Sequence, residues 1–372
     1  MTTAFKRPDF SIGIEEEYQI IDPETRELKS FITQLLKHDR IILKQIDVKP
    51  ELHQSIVEIG TKPHSSIQDA RKDLANLRKT VCDLVKDQGA VIAAAGTHPI
   101  SHWQNQDITP FERYQGLLED MQDIARQMLT FGMHVHIGID DEELAIDTMN
   151  TIKYFVPHIF ALSTSSPFWE GRLTGLKSYR SNLFKFLPRT GLPPYLDSHA
   201  EYKKFVNVLI KTGAIPNTSK IYWDIRPHHS YPTLEFRLCD LCTSIDDAMC
   251  CAALFQALVY KHYKMRVQNI RFRQYPNMLL EENKWNAMRH GIDGTLYDFG
   301  REEALPARSL IKELIEFLSE EAEELGTKTE IEHALIILDR GTSADRQIKI
   351  FKETNDLKAV VDWLIEETVA GC

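Results

Sequence analysis

A chain of 372 residues, 43 % hydrophobic and 26 % charged, has the composition of an ordinary globular protein and length enough for a sizeable core. Its formal net charge of −10 offers no general attraction to a phosphate backbone, which argues against nucleic acid as a partner. No run approaches the roughly 18 apolar residues of a membrane span and the start holds no signal-like apolar stretch, so a cytoplasmic protein without a membrane partner is expected.

In chain order, SIGIEEEYQII (11–21) reads as a strand. Alternation places Glu15 and Glu17 on one face with Gly13 and Gln19, and Ile12, Ile14, Tyr18 and Ile20 on the other. Glu16 falls on the apolar side, which suits a place near the strand's edge. Residues 51–61 (ELHQSIVEIGT) read as a second strand; the spacing of seven between Glu51 and Glu58 then puts them on opposite faces unless a bulge intervenes. Residues 65–87 have helical spacing, with Ser65 or Ser66 as N-cap. A buried strand at 89–99 and a helix at 111–130 follow.

FGMHVHIGI (131–139) reads as a strand with His134 and His136 on one face and glycines beside them, leaving that face open to a ligand. A helix is expected over 141–163. YWDIRP (222–227) and PTLEFRLCD (232–240) read as two short strands around a turn. Asp224 and Arg226 share a face in the first, and Thr233, Glu235 and Arg237 in the second. A helix over about 245–268 and a mostly helical, charged part from about 303 complete the chain. Together these predict one α+β catalytic domain over 1–372, with a largely antiparallel sheet, helices on one side and a chemically active opposite face.

Acids on strand faces repel unless cations lie between them. Oxygen-rich ligation with few nitrogens suits Mg²⁺, or Mn²⁺ where a histidine joins, rather than zinc. Arginine forks suit phosphate or carboxylate. There is no Walker-type phosphate loop. Cys239 and Cys242 have CxxC spacing without a second such pair, since Cys250 and Cys251 are adjacent, so they read as unligated thiols.

GIEEEYQIID (13–22), ELHQSIVEIGT, AAAGTHP (93–99), ERYQ (112–115), GMHVHIGID (132–140), WDIRPHHSYPTLEFRLCD (223–240) and GTSADRQ (341–347), in this order, resemble the YbdK-like carboxylate–amine ligases, the glutamate–cysteine ligase type 2 family. The resemblance implies a glutamine-synthetase-like fold, a curved, mainly antiparallel sheet forming a funnel-shaped site with helices packed outside. It implies an ATP- and Mg²⁺-dependent ligase that makes an amide through an acyl phosphate, with glutamate–cysteine ligation as a weak activity. Glu15, Glu17, Glu51, Glu58, His134 and Glu235 would hold metal, which contradicts the opposite-face reading of Glu51 and Glu58. His134, His136, Arg226 and Arg237 would contact nucleotide, the two arginines acting on phosphate in catalysis. Arg172, Ser178 and Arg180 would bind the glutamate-like carboxylate substrate, to be joined to an amine. A metal-dependent amide or ester hydrolase on the same sheet is the alternative, discriminated by ATP dependence. Helical faces of the C-terminal third offer a homodimer surface.

Overall fold

Strand β1 (Ile12–Ile21) shows the period-two pattern of its sequence, with alternate isoleucines buried and Glu15 and Glu17 part-exposed on the opposite face. It is the centre of a seven-stranded antiparallel sheet in a computed structural model that describes residues 6–34 and 48–372. β2 (Lys49–Pro50) and β3 (Ile56–Gly60) lie on one side of it, β3 inward. α1 (Ile67–Lys86) then crosses the back of the sheet, its N-terminus capped by Ser66. β4 (Val91–Ala93) pairs with the C-terminal end of β1. After α2 (Glu112–Met121) and α3 (Asp123–Arg126), β5 (Met133–Gly138) pairs with β1 on its other side.

Two helices, α4 (Glu142–Ile152) and α5 (Val156–Ser163), lead to the short hairpin β6 (Phe168–Trp169) and β7 (Arg172–Leu173). α6 (Tyr179–Phe184), β8 (Thr190–Gly191) and α7 (His199–Lys211) follow. β9 (Tyr222–Trp223) pairs with β8, while β10 (Ile225–Pro227) and β11 (Thr233–Phe236) complete the main sheet beyond β5. α8 (Ile245–Val267) is buried along most of its length and lies against β1 and β5 on the back. α9 (Asn277–His290) and the hairpin β12 (Thr295–Asp298) and β13 (Glu303–Pro306) come next. Five helices close the chain: α10 (Ala307–Phe317), α11 (Ser319–Leu325), α12 (Lys328–Arg340), α13 (Ser343–Thr354) and α14 (Leu357–Val369). One continuous apolar core joins the back of the sheet to these helices.

Several expectations are corrected. Residues 51–61 are not one strand: β3 starts at Ile56, and Glu51 lies in the turn that follows β2 and leads back antiparallel. The helix expected over 111–130 breaks at Gln122, whose φ of 50° is left-handed. The helix expected over 141–163 splits ahead of Pro157, which cannot donate a backbone hydrogen bond. The strand expected over 89–99 is only three residues long; the mostly helical C-terminal part begins after the short strand at 303–306.

Glu16 is not at an edge. It is fully buried on the back of β1, and Arg78 of α1, equally buried, donates to both its carboxylate oxygens, at 2.9 and 2.6 Å. Arg78 also donates to the carbonyls of Cys242, Thr243 and Thr368, and Tyr18 donates its hydroxyl to Glu16. One guanidinium therefore ties the central strand, the segment after β11 and the last helix together. Removing one partner of such a pair strands a charge in the core. Arg78→Met is expected to cost about 3–5 kcal/mol by urea unfolding, and Arg78→Met with Glu16→Leu to recover most of that loss. Equal losses in the single and double variants would contradict this reading.

Candidate active site

Register brings the polar residues of separate strands into rows on the open face. Lys49 of β2, Glu58 of β3 and Glu17 of β1 form one row. Gly60, Glu15 and His134 form the next. Gly13, His136, Glu235 and Arg226 form the third, crossing four strands. The turn after β2 brings Glu51 to the same face, so Glu51 and Glu58 meet there without any bulge. Ligand atoms of Glu17, Glu51 and Glu58 lie within 4.8 Å of one another, as do those of Glu15, His136 and Glu235.

Like charges at this spacing raise one another's proton affinity. Burial, then Glu15, Glu51 and Glu17, push the Glu58 carboxyl well above its ordinary value. Burial and Glu17 push Glu51 up, partly offset by its hydrogen bond with Glu58. Lys49 reaches Glu58 at 3.5 Å and Glu15 at 3.8 Å. Glu17 accepts a 2.5 Å hydrogen bond from the Gly132 amide, which fixes its direction.

Glu235 is the best paired of the acids. Burial opposes its ionisation, but Arg237 and Arg226 outweigh that and hold it well below the usual carboxylate range. Arg226 donates from Nε at 2.6 Å and Nη2 at 3.3 Å, and Arg237 donates from Nη1. His134 Nδ1 lies 3.2 Å from Glu15. Burial and the nearby Arg237 charge lower the pKa of His134. His136 Nδ1 pairs with Thr233 at 3.1 Å, while its buried Nε2 has no hydrogen-bond partner and lies 3.6 Å from Glu15.

An orphaned imidazole nitrogen beside two carboxylates, and three mutually repelling carboxylates next to it, fit two divalent cations bound mainly by oxygen. Five of the six ligands implied by resemblance fall into these two groups, and the sixth, His134, falls into neither. The histidine grouped with Glu15 and Glu235 is His136; His134 pairs with Glu15 through Nδ1, and its own buried Nε2 is likewise without a hydrogen-bond partner. Two cavities meet at this row of acids. One, of about 690 Å³, holds Glu17, Glu51, Glu58, Arg226, Glu235 and Arg237. The other, of about 680 Å³, is floored by Gly13, Gly60 and Gly138 and walled by Ile139, Pro63 and Pro232. Glu15, Lys49 and Tyr231 border both.

The expected carboxylate-binding trio is not brought together on this face. Arg172 is exposed on the β6–β7 hairpin. Ser178 caps α6 and donates to buried Asp240 at 2.8 Å. Arg180 lies behind Gly132, in a separate cleft that also touches Arg237. Cys239, Cys242, Cys250 and Cys251 are free and buried, and neither metal-ligand group among the described residues includes a cysteine. The GTSADRQ segment is structural: Thr342 and Asp345 form the capping box of α13. Sequence reading missed Lys49, which stands two residues before Glu51 and so shares its strand face.

An open antiparallel sheet with carboxylates and arginines on its free face and helices behind is the glutamine-synthetase-like fold. The chain superposes on the glutamate–cysteine ligase of Francisella tularensis, solved in complex with AMP, with a TM-score of 0.71 at 15 % identity, covering 98 % of this chain and 89 % of that one. It superposes on a bifunctional glutathione synthetase from Pasteurella multocida with a TM-score of 0.68 at 14 % identity, over 97 % of this chain and 52 % of that one. The chain belongs to glutamate–cysteine ligase family 2, whose model matches residues 11–362. A Roseiflexus castenholzii protein named for the glutamate–cysteine ligase 2 class is 54 % identical over 366 residues, 98 % of this chain and 96 % of that protein. One from Chloroflexus aggregans is 52 % identical over 97 % and 93 %. No helix among the described residues is long and apolar enough to cross a membrane.

The raised Glu51 and Glu58 pKa values have a signed consequence. An acid whose folded pKa is raised destabilises the fold as pH climbs above its unfolded value, and a cation that binds the ionised form relieves this. Mg²⁺ or Mn²⁺ is therefore expected to raise the melting temperature at about pH 8 and much less at about pH 5, where Glu58 holds its proton. Glu58→Gln is expected to melt higher than the wild type without metal and to lose the metal response. A thermal scan at the two pH values checks this, and an equal metal response at both would contradict it.

Proposed function

We propose that this chain joins a carboxylate to an amine at the expense of ATP, through an acyl phosphate, with glutamate and cysteine as weak substrates. Two carboxylate groups facing Arg226 and Arg237, where two cavities meet, carry the reading. A nucleotide needs a flat apolar berth, and the glycine floor with Ile139 and Pro63 supplies one. The carboxylate and amine take the second cavity, where Arg226 and Arg237 lie. The Francisella ligase was solved in complex with AMP, which supports nucleotide binding by this fold.

A free carboxylate is a poor electrophile. One of its oxygens attacks the γ-phosphorus and ADP leaves. The amine then attacks the acyl carbon, phosphate leaves, and the nitrogen gives up a proton. Divalent cations held by Glu15, His136 and Glu235 and by Glu17, Glu51 and Glu58 would neutralise phosphate charge and orient it. Arg237 lies within reach of the same charge. Glu235 fixes its fork, so it needs no reorganisation as charge moves to the leaving oxygens. Arg226 is braced by Glu235 and by the carbonyls of Ser219 and Ile221, which sets its plane.

The test is incubation with ATP, Mg²⁺, glutamate and hydroxylamine as a small amine. The expected product is an acyl hydroxamate formed with stoichiometric phosphate release. Arg237→Ala is expected to lower kcat by about 10²–10³ with ATP affinity mostly kept. Arg237→Lys, which keeps the charge and loses the fork, is also expected to be impaired. Amide or ester cleavage that needs metal but no ATP would overturn the reading in favour of a hydrolase.

A further inference from the structure

We propose that His228, in the turn between β10 and β11, donates its Nε2–H to the phosphoryl group in transfer; this deepens, and rests on, the ligase reading. His228 belongs to neither group of cation ligands. It stands two places past Arg226, so alternation sends it to the same open face. There it lines the acid-lined cavity together with Arg226, Glu235 and Arg237.

The turn fixes the chemistry of the ring. Nδ1 of His228 accepts hydrogen bonds from the backbone amides of Ser230 at 3.2 Å and Tyr231 at 3.0 Å. An imidazole nitrogen that accepts carries no proton, so the proton sits on Nε2. That excludes two roles. A protonated Nε2 has no lone pair to give a metal ion. A ring whose one lone pair is spent on two amides is no base for the incoming amine. What remains is a neutral donor, and among the described residues nothing accepts from it. Glu235 gives its oxygens to Arg226 and Arg237 instead.

The ring is also held in place. The His228 amide donates to the Thr233 carbonyl at 2.9 Å, and the Thr233 hydroxyl pairs with His136 Nδ1. Tyr231 stacks on His228 with ring centres 4.7 Å apart and planes 9° from parallel, and the His136 ring meets it at 5.1 Å and 75°. The donor is therefore preset beside the group of Glu15, His136 and Glu235. An anion that meets a cation there, with Arg226 and Arg237, meets Nε2–H as well. The transferred phosphoryl group is that anion, first on its way from ATP and then as the leaving phosphate. The N–H bond stays intact throughout. A donor fixed in advance favours charge that gathers in the transition state, at no cost in reorganisation.

Two variants separate the donor from the turn. His228→Asn keeps an acceptor for the Ser230 amide, as in an Asx turn, and removes the Nε2–H donor. His228→Gln puts an amide N–H near the place of Nε2–H and gives up the short-range acceptor. In hydroxamate formation with ATP, glutamate and hydroxylamine, His228→Asn is expected to lower kcat about 10–100-fold, with the KM for ATP and the thermal melt little changed. His228→Gln is expected to keep more of kcat despite a weaker turn. Calorimetry gives a readout that needs no turnover. Aluminium fluoride, a mimic of the phosphoryl group in transfer, is expected to tighten binding of ADP with Mg²⁺ and glutamate in the wild type and far less in His228→Asn. Normal kcat in His228→Asn, or a Gln variant worse than the Asn variant, would leave the ring only its part in the turn and overturn the proposal. A response to aluminium fluoride that depends on His228, with no hydroxamate from the wild type, would support the donor and defeat the ligase reading. Hydroxamate formation that neither variant alters would do the reverse.

Discussion

Five glutamates from separate segments meet on one face of a buried-backed sheet, and the rest of the structure answers to their mutual repulsion. Glu15, Glu17, Glu51, Glu58 and Glu235 line one cavity with Lys49, Arg113, Lys220, Arg226 and Arg237, but the cations are shared unevenly among them. Glu235 is the exception that shows the rule: with two guanidiniums against it, it stays ionised despite near-complete burial. Glu51 and Glu58, which have only Lys49 and Arg113 near, hold their protons more tightly.

Such a face needs a rigid support, because a strand carrying repelling side chains on one side is held by its other side. β1 is held by buried isoleucines and by the Glu16–Arg78 pair, which reaches the last helix through the Thr368 carbonyl. The same arginine bonds to the segment leaving β11, the strand that carries Glu235. Thus the last helix, which brings no residue to the acid face, is tied through Arg78 to β1 and to the segment leaving β11, two of the strands that do.

Much of this was legible in the sequence, because alternation along a strand is local. The faces of Glu15 and Glu17, of His134 and His136, and of Glu235 and Arg237 follow from counting by two, and all meet as counted. Glu51 was not legible, because its placement depends on a turn between Leu52 and Ser55 that carries no glycine or proline. Glu16 looked misplaced because its partner is 62 residues away on a helix. Arg172 and Ser178 shared a segment with Arg180 but not a direction: one is exposed on a hairpin and one caps a helix.

The central claim is that the acid face holds two divalent cations at two defined points. Crystals grown with Mn²⁺ and ADP and measured at a wavelength where manganese scatters anomalously test it directly. The account predicts two peaks, one among Glu15, His136 and Glu235 and one among Glu17, Glu51 and Glu58. An acid face without anomalous density, with the glutamates paired only to Lys49 and the arginines, would contradict it.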